Sequence, residues 1–160
     1  MFNKLTEVVL PSIIGIMVHS KETISPKARQ AQDTYLSTLN VGKRKTKKPV
    51  VVGFLGLVGS GKSSVSRELA PLIGATVVEG DAISVQLSKV DELYKFVRQI
   101  AENIALEVLN RGGNVIIDAD QIDDKKRAST REKIRKAGAQ LFFGRTSADP
   151  HVMLGRMLTA

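Results

Sequence analysis

The sequence predicts an α/β fold: three layers, with a parallel sheet flanked by helices, preceded by a mostly helical N-terminal segment. Three observations carry that expectation. From residue 49 onward, short apolar runs alternate with helix-length stretches, the order that builds parallel βαβ units. Two of the runs, "VVVGFL" (50–55) and "NVIID" (114–118), are apolar at consecutive positions, as in strands buried on both faces. Between the first run and the stretch that reads as the next helix stands a glycine-rich turn, "GLVGSGKSS" (56–64).

The chain has 160 residues, room for one modest domain with a core of its own plus a shorter segment. The expected division is residues 1–48, a helical tail and basic linker, and residues 49–160, the α/β domain. "VVLPSIIGIMV" (8–18) is the long apolar run of the tail. It is too short to span a bilayer as a helix and contains Pro11 and Gly15, so it reads as a helix that packs on the domain, on a partner or on a second copy, with an interfacial membrane contact as the alternative. Residues 27–40 read as a second, more polar helix. "GKRKTKKP" (42–49) places five basic residues in six positions before Pro49, the composition of a solvated linker, with a polybasic contact to RNA or anionic lipid as the alternative.

Within the domain, β-branched Val50, Val51 and Val52 lead into Phe54 and Leu55 as the first strand. The residues around Val65–Ala70 form the first helix, which Pro71 is expected to end or kink. "ATVVEGD" (75–81) is a second strand, closed by Gly80-Asp81. Leu93, Val97, Ile100, Ile104 and Val108 recur at intervals of three and four, a long amphipathic helix stopped by Gly112. "NVIID" is the third strand, residues 123–137 a charged surface helix closed by Gly138, and "AQLFFG" (139–144) the fourth strand. "DPHVMLGRML" (149–158) starts a last helix with Pro150 in its first turn.

The turn at 56–64 spaces Gly56, four residues, Gly61, Lys62 and Ser63, which satisfies the P-loop pattern. Glycines let the backbone approach a ligand closely. The N–H groups of Leu57, Val58, Gly59, Ser60, Gly61 and Lys62 would curl around a β-phosphate at the positive end of the following helix. Lys62 would reach the β- and γ-phosphates, Ser63 would ligate a bridging Mg²⁺, and Ser64 completes the cradle. The expected ligands are therefore ATP and Mg²⁺.

In an open parallel sheet, ligands sit beyond the carboxyl ends of the strands. That rule selects Asp81, Asp118, Asp120 and Arg145. Asp118 ends an apolar strand, the place of an acid that holds the Mg²⁺ shell. Asp81 stands where it could take the proton of an acceptor hydroxyl, or else cap the helix that begins near Ile83. Arg127 and Arg131 lie four apart on one helix face and could clamp an anion, or simply solvate the helix. Arg145 and Arg156 are the arginines placed to stabilise charge on a transferring phosphoryl group. His19 and His151 have no metal-site spacing.

Composition narrows the partners. The chain has no cysteine, which rules out disulfides and thiolate metal sites and fits a reducing, cytoplasmic setting. Aromatics are 4% with no tryptophan, poor material for stacking nucleobases. Of the net charge of +8, residues 1–48 carry +6 (9 Lys/Arg against 3 Asp/Glu) and residues 49–160 only +2. No specific nucleic-acid recognition by the domain is expected.

Taken together, "GLVGSGKSS", "VVEGDAI", "VIIDAD" and "FFGRTSADPHVMLGRM" resemble the small-molecule kinases of the P-loop NTPase superfamily. Nearest are the gluconate and adenylylsulfate kinase-like proteins and the zeta-toxin-like kinases with their AAA-type domain label. The resemblance covers residues 49–160. It implies that Lys62 and Ser63 handle ATP and Mg²⁺ and that Asp81 faces a small-molecule acceptor. Such kinases usually continue through an arginine-bearing lid, a fifth strand and a final helix, so the resemblance implies a C-terminally truncated chain. "VVVGFL" and "QLFF" would then be partly uncovered. Two other readings stay open: an ATPase or GTPase switch, and a nucleotide-binding regulatory module. The guanine-reading Asn/Thr-Lys-x-Asp pattern is absent, since the fourth strand ends in "FFGRTSAD".

Overall fold

The computed structural model of the protein describes residues 24–119 and 123–159. The apolar run at 8–18, His19 and Asp120 lie outside the described residues. Among the described ones, α1 (Pro26–Thr38) leads to β1 (Val50–Leu55), α2 (Lys62–Ile73), β2 (Ala75–Glu79) and α3 (Gly80–Lys89). A short 3₁₀ turn (Tyr94–Phe96) then precedes α4 (Val97–Asn110), β3 (Asn114–Asp118), α5 (Asp124–Lys136), β4 (Gln140–Arg145) and α6 (Pro150–Leu158). The four strands form one parallel sheet in the order β2-β3-β1-β4. This is the expected α/β architecture, a parallel sheet flanked by helices. No helix among the described residues is long and apolar enough to cross a membrane.

Consecutive branched residues make β1 and β3 suitable for the centre of the sheet. Val51, Val115, Ile116 and Ile117 are fully buried, whereas β4 at the rim leaves Phe142 53% exposed. The expectation that "VVVGFL" is partly uncovered therefore fails, because β1 lies between β3 and β4 and is covered on both sides. On one face α1, α3 and α4 build the larger core around Ile83, Leu87, Ile100 and Ile104. On the other, Val52, Phe54, Ala70 and Ile116 form a smaller core beneath α2.

Local chemistry sets the ends of the elements, and in three places it departs from the sequence expectation. The second helix runs past Pro71 to Ile73 and stops at Gly74, whose φ of 63° is the left-handed conformation that favours glycine. The β2 strand ends one residue before Gly80, which opens α3; a Cβ at Gly80 would lie 3.1 Å from the Ala119 Cβ, so a glycine lets this turn lie against β3. Leu93 stands outside α4, 59% exposed, because the 3₁₀ turn intervenes.

The polar helix α1 begins at Ser25, whose hydroxyl accepts from the Ala28 N–H and donates to Glu92. It packs on α3 and α4, and its C-terminal end reaches the outer edge of β2. The Glu79 N–H donates to the Tyr35 hydroxyl (2.9 Å), and the Thr76 hydroxyl donates to the Asn40 carbonyl (3.4 Å). Ala28, Ala31 and Tyr35 are buried in the larger core, so this helix is part of the packed body. Burial pushes the Tyr35 phenol up from its usual range.

Segment 42–49 is tied to the base of the sheet. The Lys45 N–H donates to the Ile73 carbonyl (3.0 Å), and the Asn114 side chain bridges Thr46, Ile73 and the Val50 N–H. Between α4 and α5, the buried carboxylate of Glu102 accepts from Arg98 (2.7 Å), Thr130 (2.7 Å) and Lys133 (2.6 Å).

Candidate functional site

The loop between β1 and α2 is shaped by three glycines with positive φ: Gly56 at 156°, Gly59 at 78° and Gly61 at 98°. Side chains are also excluded there for lack of space. A Cβ at Gly56 would lie 2.5 Å from the hydroxyls of Ser60 and Thr146, and one at Gly59 would lie 2.9 Å from the Met153 carbonyl. The loop tip turns Leu57 and Val58 outward, 60% and 69% exposed, so what they could offer a ligand is backbone.

Gly61 is the N-cap of α2 and offers no side-chain cap to the first helical turn. Those N–H groups are open donors at the positive end of the helix, a site suited to phosphate. Lys62 is half-buried and folds back along the loop, its ammonium donating to the carbonyls of Gly56 (2.8 Å) and Leu57 (3.0 Å). Ser63 and Ser64 are exposed on the first turn. Ser66, one turn further, is fully buried and its hydroxyl is taken up by the Lys62 carbonyl (2.9 Å).

The acids lie along the same end of the sheet. Asp118 closes β3, the neighbour of β1, at the level of Phe54: the register pairs Gly53 with Ile117. It is half-buried and makes no hydrogen bond or ion pair among the described residues. Asp81 is exposed in the first turn of α3, where Glu79 holds the N-cap position without a side-chain bond, so Asp81 is not engaged as a cap. No group of three His, Cys, Asp or Glu among the described residues forms a metal cage. The hard oxygens of Ser63 and Asp118 suit a Mg²⁺ ion that takes one or two protein ligands and completes its shell with phosphates and water.

Beside the loop opens a cleft of about 360 Å³, lined among others by Gly56, Ser60, Arg127, Arg145, Thr146 and Met153. Arg127 and Arg145 thus meet at one cleft, with Arg127 also paired to Asp124. Arg131 does not join them. Its guanidinium lies over the Phe143 ring, 5.6 Å from the centroid. Arg156 reaches back from α6 to donate to the Gly59 carbonyl (2.8 Å).

Sequence reasoning missed Thr146. Its N–H donates to the Leu55 carbonyl (2.8 Å) and its hydroxyl bonds that of Ser60 (2.8 Å), tying the glycine loop to the end of β4. The strand-end rule that selected Arg145 points equally to its neighbour. Met153 was missed too. Its contact with Gly59 comes from the tertiary placement of α6, which no local pattern encodes.

The AAA domain family matches residues 51–157. No curated protein matches the chain. A solved structure from the molecular and structural characterization of the PezAT chromosomal toxin-antitoxin system of Streptococcus pneumoniae is similar, with a TM-score of 0.67 and 18% identity. The likeness covers 86% of this chain and 62% of that one, so the chain spans less than two thirds of that protein's length. At this identity the likeness establishes the fold.

Proposed function

The chain belongs to the AAA domain family, and we propose that it binds ATP with Mg²⁺ and transfers the γ-phosphoryl group to a small-molecule acceptor. One observation carries the reading: the Gly56–Ser63 loop, with its left-handed glycines, uncapped α2 N-terminus and inward-folded Lys62, between a buried strand and a helix. Open N–H groups at this turn suit a β-phosphate, and the Lys62 ammonium needs only to exchange loop carbonyls for phosphate oxygens.

Ser63 and Asp118 would hold Mg²⁺, which when bound neutralises charge on the phosphate oxygens. Asp81 would accept the proton of the acceptor hydroxyl as its oxygen bonds to the γ-phosphorus. The bond from that phosphorus to the bridging oxygen breaks, and ADP leaves. Arg156, together with Arg127 and Arg145 at the cleft, would balance charge on the transferring group. Catalysis in this scheme is positioning plus electrostatics.

The test is ADP formation by the full chain with and without polyols, nucleosides and sugar derivatives. Acceptor-dependent ADP with a phosphorylated product supports the kinase. Steady ADP release that no acceptor changes replaces it with an ATPase, and binding without turnover with a regulatory module. The Asp81→Asn variant should keep ATP affinity while transfer falls about 10²–10⁴-fold; undiminished transfer removes Asp81 from the chemistry.

A further inference from the structure

At the opposite end of the sheet, where the strands begin, lies a second concavity of about 630 Å³ lined by Val41, Lys43, Arg44, Thr46, Lys47 and Arg111 with adjacent glycines. The β1 strand alone separates it from the glycine loop by about 20 Å, six residues at the usual rise. We propose that this groove binds the sugar–phosphate backbone of a single nucleic-acid strand without reading its bases, a partner beyond the kinase reading.

The first support is that the chain segment carrying the cations is held in place. The backbone carrying them is pinned at the Arg44 N–H to the Gly112 carbonyl (3.4 Å), at the Lys45 N–H to Ile73 and at Thr46 to Asn114 (2.8 Å). A linker of this composition would ordinarily be a solvated coil. Here it is a strap that presents its charges on one wall, and Arg111 at the end of α4 stands on the other.

The second support is that three of these charges are not used internally. Cations at this end would be expected to serve the negative C-termini of α2 and α4. Lys45 does so, donating to the Pro71 carbonyl (2.7 Å), and Arg111 is oriented by Glu107 (2.8 Å). The side chains of Lys43, Arg44 and Lys47 make no hydrogen bond or ion pair among the described residues, and no carboxylate lines the groove.

Shape and lining then choose among polyanions. The groove is concave, so one narrow strand can enter where a flat bilayer surface cannot. Val41 is its one large apolar residue and it has no aromatic, so nothing there would stack a base or bury a lipid chain. Phosphates in series, met by lysines and arginines along a strap, are the chemistry that remains.

The experiment is fluorescence anisotropy of labelled mixed-sequence single-stranded RNA and DNA with the full chain, titrated over salt. Inorganic polyphosphate and phosphatidylserine vesicles are run alongside. Binding should be insensitive to sequence. Three phosphate contacts predict that log K falls with log salt at a slope of about −2. The Lys43→Gln/Arg44→Gln/Lys47→Gln variant should lose about tenfold or more in affinity and flatten the slope. An equally charged control, Arg29→Gln/Arg67→Gln/Lys89→Gln, and Lys62→Ala should each stay within about twofold. Should the triple variant unfold, the single Lys47→Glu change at an exposed position must weaken binding in the same direction. The proposal is overturned by no oligonucleotide binding at low salt, by equal losses in the control, by loss in Lys62→Ala, or by binding confined to polyphosphate or vesicles.

Discussion

Replacing Lys62 by alanine tests the phosphate cradle directly. In the free protein the ammonium spends two hydrogen bonds on the carbonyls of Gly56 and Leu57, at 2.8 and 3.0 Å. Under the proposed function, binding would therefore exchange carbonyl partners for phosphate oxygens rather than recruit a free charge. A charge-assisted bond contributes about 1.5–3 kcal/mol, so the dissociation constant for ATP should rise about 10- to 150-fold. At ATP a hundredfold above the wild-type constant, ligand linkage stabilises the wild-type fold by about 2.7 kcal/mol. The same concentration would stabilise the variant by about 1.4 kcal/mol at the mild end and about 0.3 kcal/mol at the severe end. Thermal melts with and without Mg-ATP read this as a collapsed shift, while the melt without nucleotide should stay close to wild type because Lys62 serves no core. An ATP-induced shift equal to the wild type's would remove the phosphate role from this loop.

The Asp118→Asn change should weaken ATP binding only when Mg²⁺ is present, and calorimetric affinities that match the wild type at every Mg²⁺ concentration would contradict its role. Glu102→Gln leaves Arg98 and Lys133 facing an amide in a buried site. Partial exposure of those two side chains (28% and 14%) keeps the cost at the low end for a broken buried pair, about 3 kcal/mol by urea unfolding, and a loss below about 1 kcal/mol would be inconsistent with it. The bond from Ser25, aided by the Leu93 N–H, holds the Glu92 carboxyl below its usual range. A depressed folded pKa stabilises above the ordinary glutamate value of about 4.3 and fades as pH falls through the lower folded value. Melting temperature should accordingly drop across that acid window in the wild type and less steeply in Ser25→Ala; parallel profiles would discount the contact.

What was legible in the sequence is what local pattern encodes. Consecutive Val and Ile runs announced β1 and β3, glycine spacing announced the loop, and Asp149-Pro150 announced α6, where Asp149 accepts from the His151 N–H. The undecided pairings depend on distant packing. Arg127 and Arg131 share a helix face by spacing, yet the rim of β4 places a Phe143 ring under Arg131 and leaves Arg127 at the cleft. Arg98 and Glu102 stand four apart on α4, and the arrival of Lys133 and Thr130 from α5 makes Glu102 a buried junction that spacing alone does not announce. Residues 27–40 read only as a second, more polar helix, because Ala28, Ala31 and Tyr35 make a weak apolar stripe; its packing against α3 and α4, with the Tyr35 hydroxyl accepting from the Glu79 N–H, depends on distant parts of the chain.

The same distinction between local pattern and packing bears on Arg156. The α6 helix buries none of its residues, leaving Val152, Leu154, Met157 and Leu158 about half exposed or more. Little apolar burial fastens it, so its position over the loop rests on Asp149 at its start, Met153 against Gly59, and the Arg156 bond to the Gly59 carbonyl. That bond is solvent-exposed, and an exposed contact to a neutral carbonyl contributes only about 1 kcal/mol. A phosphate oxygen offers the same guanidinium a full charge and two-pronged geometry, which is worth more. Under the proposed function the Gly59 carbonyl is therefore a weak resting partner. It keeps the arginine within reach of the loop, and the stronger partner has little to displace. A lysine at position 156 could hold the carbonyl but would forgo the two-pronged contact, so under the proposed function an arginine suits the phosphate better than the resting bond alone requires.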